Sequence, residues 1–169
     1  MLLRRELPTD VATIAAIHRE AFGGRGSPTV EEHLTAALRA DPGWIPALSI
    51  VAQGIGGEVV GHVVATEGRV DDVAVVGIGP VGVRMADQGR GVGSALLHAV
   101  LAASDALGYP LAALLGDPRY YHRFGFVPAS SVQVSAPDPA WGVHFQVRTL
   151  GTYAGQSGAF RYAAPFDEL

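Results

Sequence analysis

Cysteine, lysine and asparagine are all missing from this 169-residue chain. Without cysteine there is no disulfide, no thiolate metal ligand and no acyl-cysteine route within it. Without lysine there is no Schiff-base chemistry, and no P-loop nucleotide site, whose motif requires that side chain. All twelve basic residues are therefore arginine. The joint absence of lysine and asparagine points to a GC-rich bacterial genome, which bears on origin and not on activity.

Charge is scarce as well. Charged residues make up 17% of the chain against 49% hydrophobic, and the mean hydropathy is +0.25. Such a chain can fill a core and is too apolar to stay disordered. Long apolar runs are nevertheless absent. Val73–Val83 and Ser94–Ala103 fall short of the roughly 18 to 20 residues of a membrane span and are broken by glycine, proline or histidine. Met1–Pro8 lacks the basic start, apolar centre and cleavage site of a signal peptide. A cytoplasmic protein without membrane attachment is expected. The net charge of −4 offers no basic stripe for releasing counterions from a nucleic acid, so none is expected as a partner. The length suits one domain, with a core over about residues 1–128 and a tail over 129–169 packing onto it.

Local patterns place the elements. Leu2–Arg5 reads as a strand, and Thr9 or Asp10 can cap a helix running to Phe22. Gly23–Pro28 reads as a mobile loop, before a helix over Thr29–Ala40 with Glu31 and Glu32 at its favourable end. Leu48–Gln53 and Glu58–Glu67 form a hairpin across Gly54–Gly57. After a loop over Gly68–Asp72, a long strand extends from Val73 to Arg84. A helix over Gly91–Leu107, stopped by Gly108 and Pro110, leads to a buried strand, Leu111–Leu115. A short helix over Pro118–Phe124 and a last strand, Val143–Leu150, follow, with Phe160, Tyr162 and Phe166 available to pack back on the sheet. That order implies an α/β architecture, a mixed sheet with helices on both faces.

The segment Gln88-Gly89-Arg90-Gly91-Val92-Gly93-Ser94 joins a strand to a helix. Backbone N–H groups at a helix start lack partners and point outward, glycines let a ligand reach them, and the helix dipole favours an anion. A pyrophosphate fits that description. Gly77-Ile78-Gly79-Pro80-Val81-Gly82 also spells a dinucleotide-binding pattern, but no helix follows it, so it is a decoy.

Val81–Leu97 resembles the acetyl-CoA signature of the GNAT superfamily of N-acetyltransferases, whose Q/R-x-x-G-x-G/A pattern is met by Gln88, Gly91 and Gly93. Tyr121-His122-Arg123-Phe124-Gly125-Phe126 resembles the superfamily's second signature, and Leu115–Phe126 with the Gly158–Phe166 tail is similar to its YhbS-like branch. The resemblance covers about residues 1–128 and implies a GNAT-like, mostly antiparallel mixed sheet. It implies acetyl-CoA as cosubstrate and direct transfer to an amine acceptor, a small molecule or a peptide, and a homodimer is compatible with it. The backbones of Val81 and Val83 would pair with the pantetheine arm like an added strand. Amides over Gly89–Ser94 would cradle the pyrophosphate, with Arg90 adding charge. Met85 and Asp87 depart from the pattern, standing where the family usually has proline and commonly an aromatic, and Asp87 is expected to repel the phosphates.

Transfer needs a neutral amine and a proton for the departing thiolate. Tyr121 occupies the family's general-acid position, four residues before Gly125, while neighbouring Tyr120 is expected to point elsewhere and pack. For the base, Glu67 is chosen over His62, Asp71 and Asp72, all near the end of the hairpin. The six histidines show no metal-ligand spacing, so no metal is expected. The alternative reading is a non-catalytic acyl-CoA-binding or sensing module. The acceptor pocket would be shaped by the Gly23–Pro28 loop and the tail.

Overall fold

The computed structural model describes residues 1–23 and 27–168. Residues 24–26 of the loop assigned to the acceptor pocket lie outside the described residues. The elements in chain order are β1 (Leu2–Arg5), α1 (Val11–Ala21), α2 (Val30–Ala40), β2 (Trp44–Gln53), β3 (Val59–Val70) and β4 (Val73–Val83). There follow α3 (Val92–Ala106), β5 (Leu111–Leu115), α4 (Pro118–Tyr121), β6 (Val127–Pro128), β7 (Val134–Ser135), β8 (Phe145–Thr149) and β9 (Gly158–Arg161). One sheet runs in the order β1-β2-β3-β4-β5-β8-β6, with β9 pairing β3 and β7. All pairings are antiparallel except β4 with β5 and β7 with β9. This is the mixed, mostly antiparallel sheet that the resemblance implies.

Consecutive residues of β3 show how the two faces are used. Side chains alternate across a strand, and Gly61 lies under Val92 and Leu96 of α3 while His62 lies against His18 of α1. Both helices come close. A methyl group at Gly61 would stand 2.9 Å from Val92, and one at Gly82, opposite His62, 2.8 Å from the His18 ring. Under α3 the core gathers Leu96, Leu97 and Val100 with Ile50, Val63 and Val76. Each such fully buried side chain contributes roughly 1.5–3 kcal/mol. Under α1 and α2 lie Ile14 and Ile17 with Val51, and Leu34 and Leu38 with Val64. Thr29 caps α2, its hydroxyl accepting from the Glu32 N–H at 3.3 Å, and Arg19 of α1 holds the Glu32 carboxylate at 2.9 and 2.5 Å.

The hairpin between β3 and β4 is tighter than the expected Gly68–Asp72 loop. β3 continues to Val70 and the turn is only Asp71–Asp72, with Asp71 at φ +47°. The Asp71 carboxylate accepts from the Ala159 N–H at 3.0 Å, so the tail holds this turn together. The strand expected over Val143–Leu150 is also shorter: Val143 and His144 close a 3-10 segment, pairing begins at Phe145, and a further strand, β9, follows it.

Candidate active site

Proline cannot donate to a ladder, and within a sheet it falls at bulges or edges. Pro80 does so here. Between Val63↔Val81 and Ala65↔Ile78, β4 has two residues, Gly79 and Pro80, where β3 has one, Val64, so Gly79–Pro80 sit in the bulge. On its other side β4 pairs with β5 only at Val76↔Ala112 and Gly77↔Ala113. Beyond Gly77 the two strands part. The Arg84 N–H donates to Val60 O at 2.9 Å, toward β3. Backbone groups alternate in direction along an antiparallel pair, so those of Val83 and Val81 face away from β3, into the opening.

Two adjoining cavities occupy that opening. One, of about 540 Å³, is lined by Val81 and Val83, by Gln88, Gly89 and Gly91, and by Val92, Gly93 and Ser94 at the start of α3. Gly89 and Gly91 have φ of +73° and +83°, conformations that strain other residues. The first helical bond of α3 runs from the Ala95 N–H to Gly91 O, so the amides of Val92, Gly93 and Ser94 precede it and are left to outside partners. The Gln88 side-chain amide donates to Val83 O at 3.0 Å and ties the loop to the end of β4.

The cations differ from the sequence-based expectation. Arg90 has a side chain 72% exposed and does not line this cavity, whereas Arg123 does. Arg123 lies over the Tyr120 ring at 4.7 Å from its centroid. Asp87 also lines the cavity, and its carboxylate is held by Arg84 Nε at 2.6 Å and approached by Arg90 at 3.8 Å. The charge expected to repel phosphate is therefore largely compensated.

The second cavity, of about 530 Å³, begins where the first ends. Ile78–Val81 of β4 and Leu114–Leu115 of β5 form its floor, and Tyr121 lines both cavities. Asp117 caps α4 by accepting from the Arg119 N–H at 2.9 Å, and Gly125 closes the following turn at φ +82°. That frame seats Tyr121 against Phe126, at 6.0 Å between ring centroids, and over Gly116, where no side chain would fit. Burial, and then the neighbouring Tyr120, push its phenol up to about 12. It carries its proton throughout the neutral range.

Tyr120 is not simply packed, as the sequence suggested. It lines the first cavity with its hydroxyl near Gly93, 3.2 Å from where a Cβ would stand. Glu67 lines neither cavity. Its carboxylate accepts from the Tyr109 hydroxyl at 3.3 Å, beyond the C-terminal end of α3, and lies 3.9 Å from Arg69. His62 is fully buried beneath α1, and Asp71 and Asp72 form the far hairpin turn. Sequence reasoning missed Arg123 and the carboxylate of Glu31, which lines the second cavity. Arg123 stands inside the second signature and Glu31 in the first turn of α2, but no local pattern assigns either side chain to a cavity, and only their place in the fold brings them there. Among the described residues no group of His, Cys, Asp and Glu is arranged to hold a metal, and no helix is long and apolar enough to cross a membrane.

Comparison with known proteins agrees with this geometry. Residues 3–129 match the family model of an acetyltransferase (GNAT) domain. The chain is 32% identical over the full length of both chains to YhbS, an N-acetyltransferase of unassigned role from Escherichia coli. The E. coli YhbS structure in complex with CoA superposes with a TM-score of 0.88 at 30% identity, over 98% of this chain and 91% of that one. A GNAT-family acetyltransferase from Brucella melitensis in complex with acetyl-CoA gives 0.76 at 32% identity, over 98% and 97%. With its first signature running from the end of β4 into the start of α3, and its second at the end of α4 and in the turn that follows, the chain belongs to the GNAT family of acetyltransferases.

Proposed function

We propose that the protein is an acetyl-CoA-dependent N-acetyltransferase that passes the acetyl group directly to an amine, in the cytoplasm. The observation that carries this reading is the parting of β4 from β5 beyond Gly77, which opens a strand edge leading to the glycine-rich start of α3. The residues fit the cosubstrate. Val81 and Val83 present backbone groups to an extended amide-bearing arm, and the amides near Gly91–Ser94 with Arg123 suit a pyrophosphate. The two relatives form complexes with CoA and with acetyl-CoA, which supports the same cosubstrate here.

Acetyl-CoA supplies the activated thioester. For the transfer, one C–N bond forms as one C–S bond breaks. The amine arrives as ammonium and yields one proton to solvent before attack and a second, after it, to Tyr121. Tyr121, at the junction of the cavities, gives its phenolic proton to the leaving sulfur and regains one from the nitrogen, so each turnover releases one proton. Its high pKa leaves it protonated until that moment. Glu67 is placed for a structural bond to Tyr109 rather than for accepting protons in either cavity.

Calorimetry with acetyl-CoA, followed by thiol release across a library of amines, tests the reading. Binding together with amine-stimulated thiol release is expected. Binding without release by any amine would favour a sensing module, and failure to bind would overturn the assignment.

A further inference from the structure

Five aromatic side chains, Phe22, Tyr121, Trp141, Tyr162 and Phe166, line the second cavity, and Glu31 is the one charged residue among its described lining residues. Trp141, Tyr162 and Phe166 lie beyond the segment that matches the family model. Each packs one side against the core and stays partly exposed on the other. Phe166 stacks on Tyr162 at 4.4 Å and 27°, and Trp141 stands 6.4 Å from Tyr162 at 59°, making a flat-sided apolar recess. Glu31 forms no ion pair among the described residues, although its neighbour Glu32 is held by Arg19.

Resting on the acetyl-transfer reading, we infer that the acceptor is a primary amine on a flat apolar body, an arylalkylamine in chemical class, with Glu31 as countercharge to its ammonium group. Aromatic walls favour a ring by offset or edge-on packing and favour a cation through their faces. A carboxylate beside such walls attracts a cation through a medium less polarisable than water. A polyhydroxylated amine would lose its hydrogen bonds to water against those walls without replacement. The volume of about 530 Å³ lies in the range of small-molecule sites.

Three probes separate ring from charge: 2-phenylethylamine, 2-phenylethanol and propylamine. Their binding is measured by calorimetry on the whole chain, alone and with CoA, and turnover of the two amines with acetyl-CoA is then compared. 2-Phenylethylamine is expected to bind at least about tenfold more tightly than either other probe, a margin of ~1.4 kcal/mol, and to be acetylated with the higher kcat/KM. Glu31→Gln should abolish most of the preference for amine over alcohol while leaving CoA affinity unchanged. Trp141→Phe, a mild change that keeps a ring in place, should weaken both ring-bearing probes several-fold. Propylamine binding as well as 2-phenylethylamine, or a preference that survives Glu31→Gln, would overturn the inference. Measurement on the chain alone keeps the two readings apart. If CoA fails to bind while the ring-and-charge preference persists, acetyl transfer is refuted and the ligand class stands.

Discussion

Asp87 accepts from Arg84 Nε at 2.6 Å on the lining of the cavity at the start of α3, with the Arg84 side chain 36% and that of Asp87 16% exposed. The pair turns an acidic departure from the family pattern into a nearly neutral rim. Arg84→Met should therefore uncover the Asp87 charge and weaken CoA binding about two- to fivefold, in keeping with the modest worth of a partly exposed ion pair. The loss should shrink with added salt. Adding Asp87→Asn to that variant should restore affinity. Calorimetry at low and high ionic strength checks both, and a double variant no better than the single one would mean that Arg84 acts on CoA directly.

Gly91 has φ +83°, and open space surrounds the position of its missing side chain. Gly91→Glu combines backbone strain with a negative charge beside the amides assigned to the pyrophosphate. CoA affinity should fall at least about tenfold, or ~1.4 kcal/mol. Circular dichroism confirms folding, and unchanged affinity in a folded variant would remove the loop from the site.

Tyr121→Phe keeps the ring packed on Phe126 and deletes only the hydroxyl. General-acid contributions run about 10²- to 10⁴-fold, and a thiolate is a good leaving group, so the low end applies. The expected result is a fall in kcat of at least about tenfold, with CoA affinity and melting temperature nearly unchanged. Tyr120→Phe should instead act on CoA affinity, because of the two cavities Tyr120 lines only the one at the start of α3. An exchange of these two phenotypes would relocate the acid to Tyr120.

Acid should destabilise the fold through a buried chain of polar groups beneath α1. His18 Nε2 and His62 Nδ1 share a hydrogen bond at 2.8 Å, and His62 Nε2 meets Ser49 Oγ at 2.9 Å and Glu6 Oε2 at 3.5 Å. Arg39 Nε donates to Glu6 at 2.6 Å. Burial, then the charges of His62 and Arg39, lower His18 to about 3, and burial also lowers His62 despite Glu6. Burial alone would raise Glu6, but bonds from His62, Arg39 and Ser49 outweigh it and hold the carboxyl at about 2. Both signs run the same way. The unfolded chain takes protons first, at His18 below about 6.5 and at Glu6 below about 4.5, so stability is full above these values and declines as pH falls through them. Urea denaturation from pH 7.5 to 4 should show a continuous loss, and His18→Phe should flatten its upper part. A level profile over that range would mean that the chain of groups does not resist protonation.

Much of this protein is decided within short stretches of sequence. Thr29 caps the helix that follows it, and the apolar period of Val92–Ala106 makes α3. Gly89 and Gly91 allow the turn before α3, because each of these effects is a matter of neighbouring backbone geometry. The order of elements and the two signatures follow from such local signals, and so does the α/β class. Partners across the sheet do not. Whether Tyr120 or Tyr121 faces the junction depends on how α4 is seated over Gly116. Glu67 is drawn to Tyr109, 42 residues along the chain, by the register of β3 and the end of α3. Arg84 and Arg90 flank Asp87 within one turn, yet only the bend after β4 shows that they neutralise it. The recess formed by Glu31, Trp141, Tyr162 and Phe166 joins α2 to the tail, because β9 pairs with β3 and carries the tail back across the sheet. Side-chain direction in a sheet reverses with a one-residue shift of register. Register is settled by long-range packing, so tertiary structure alone decides which chemical groups meet in the cavities.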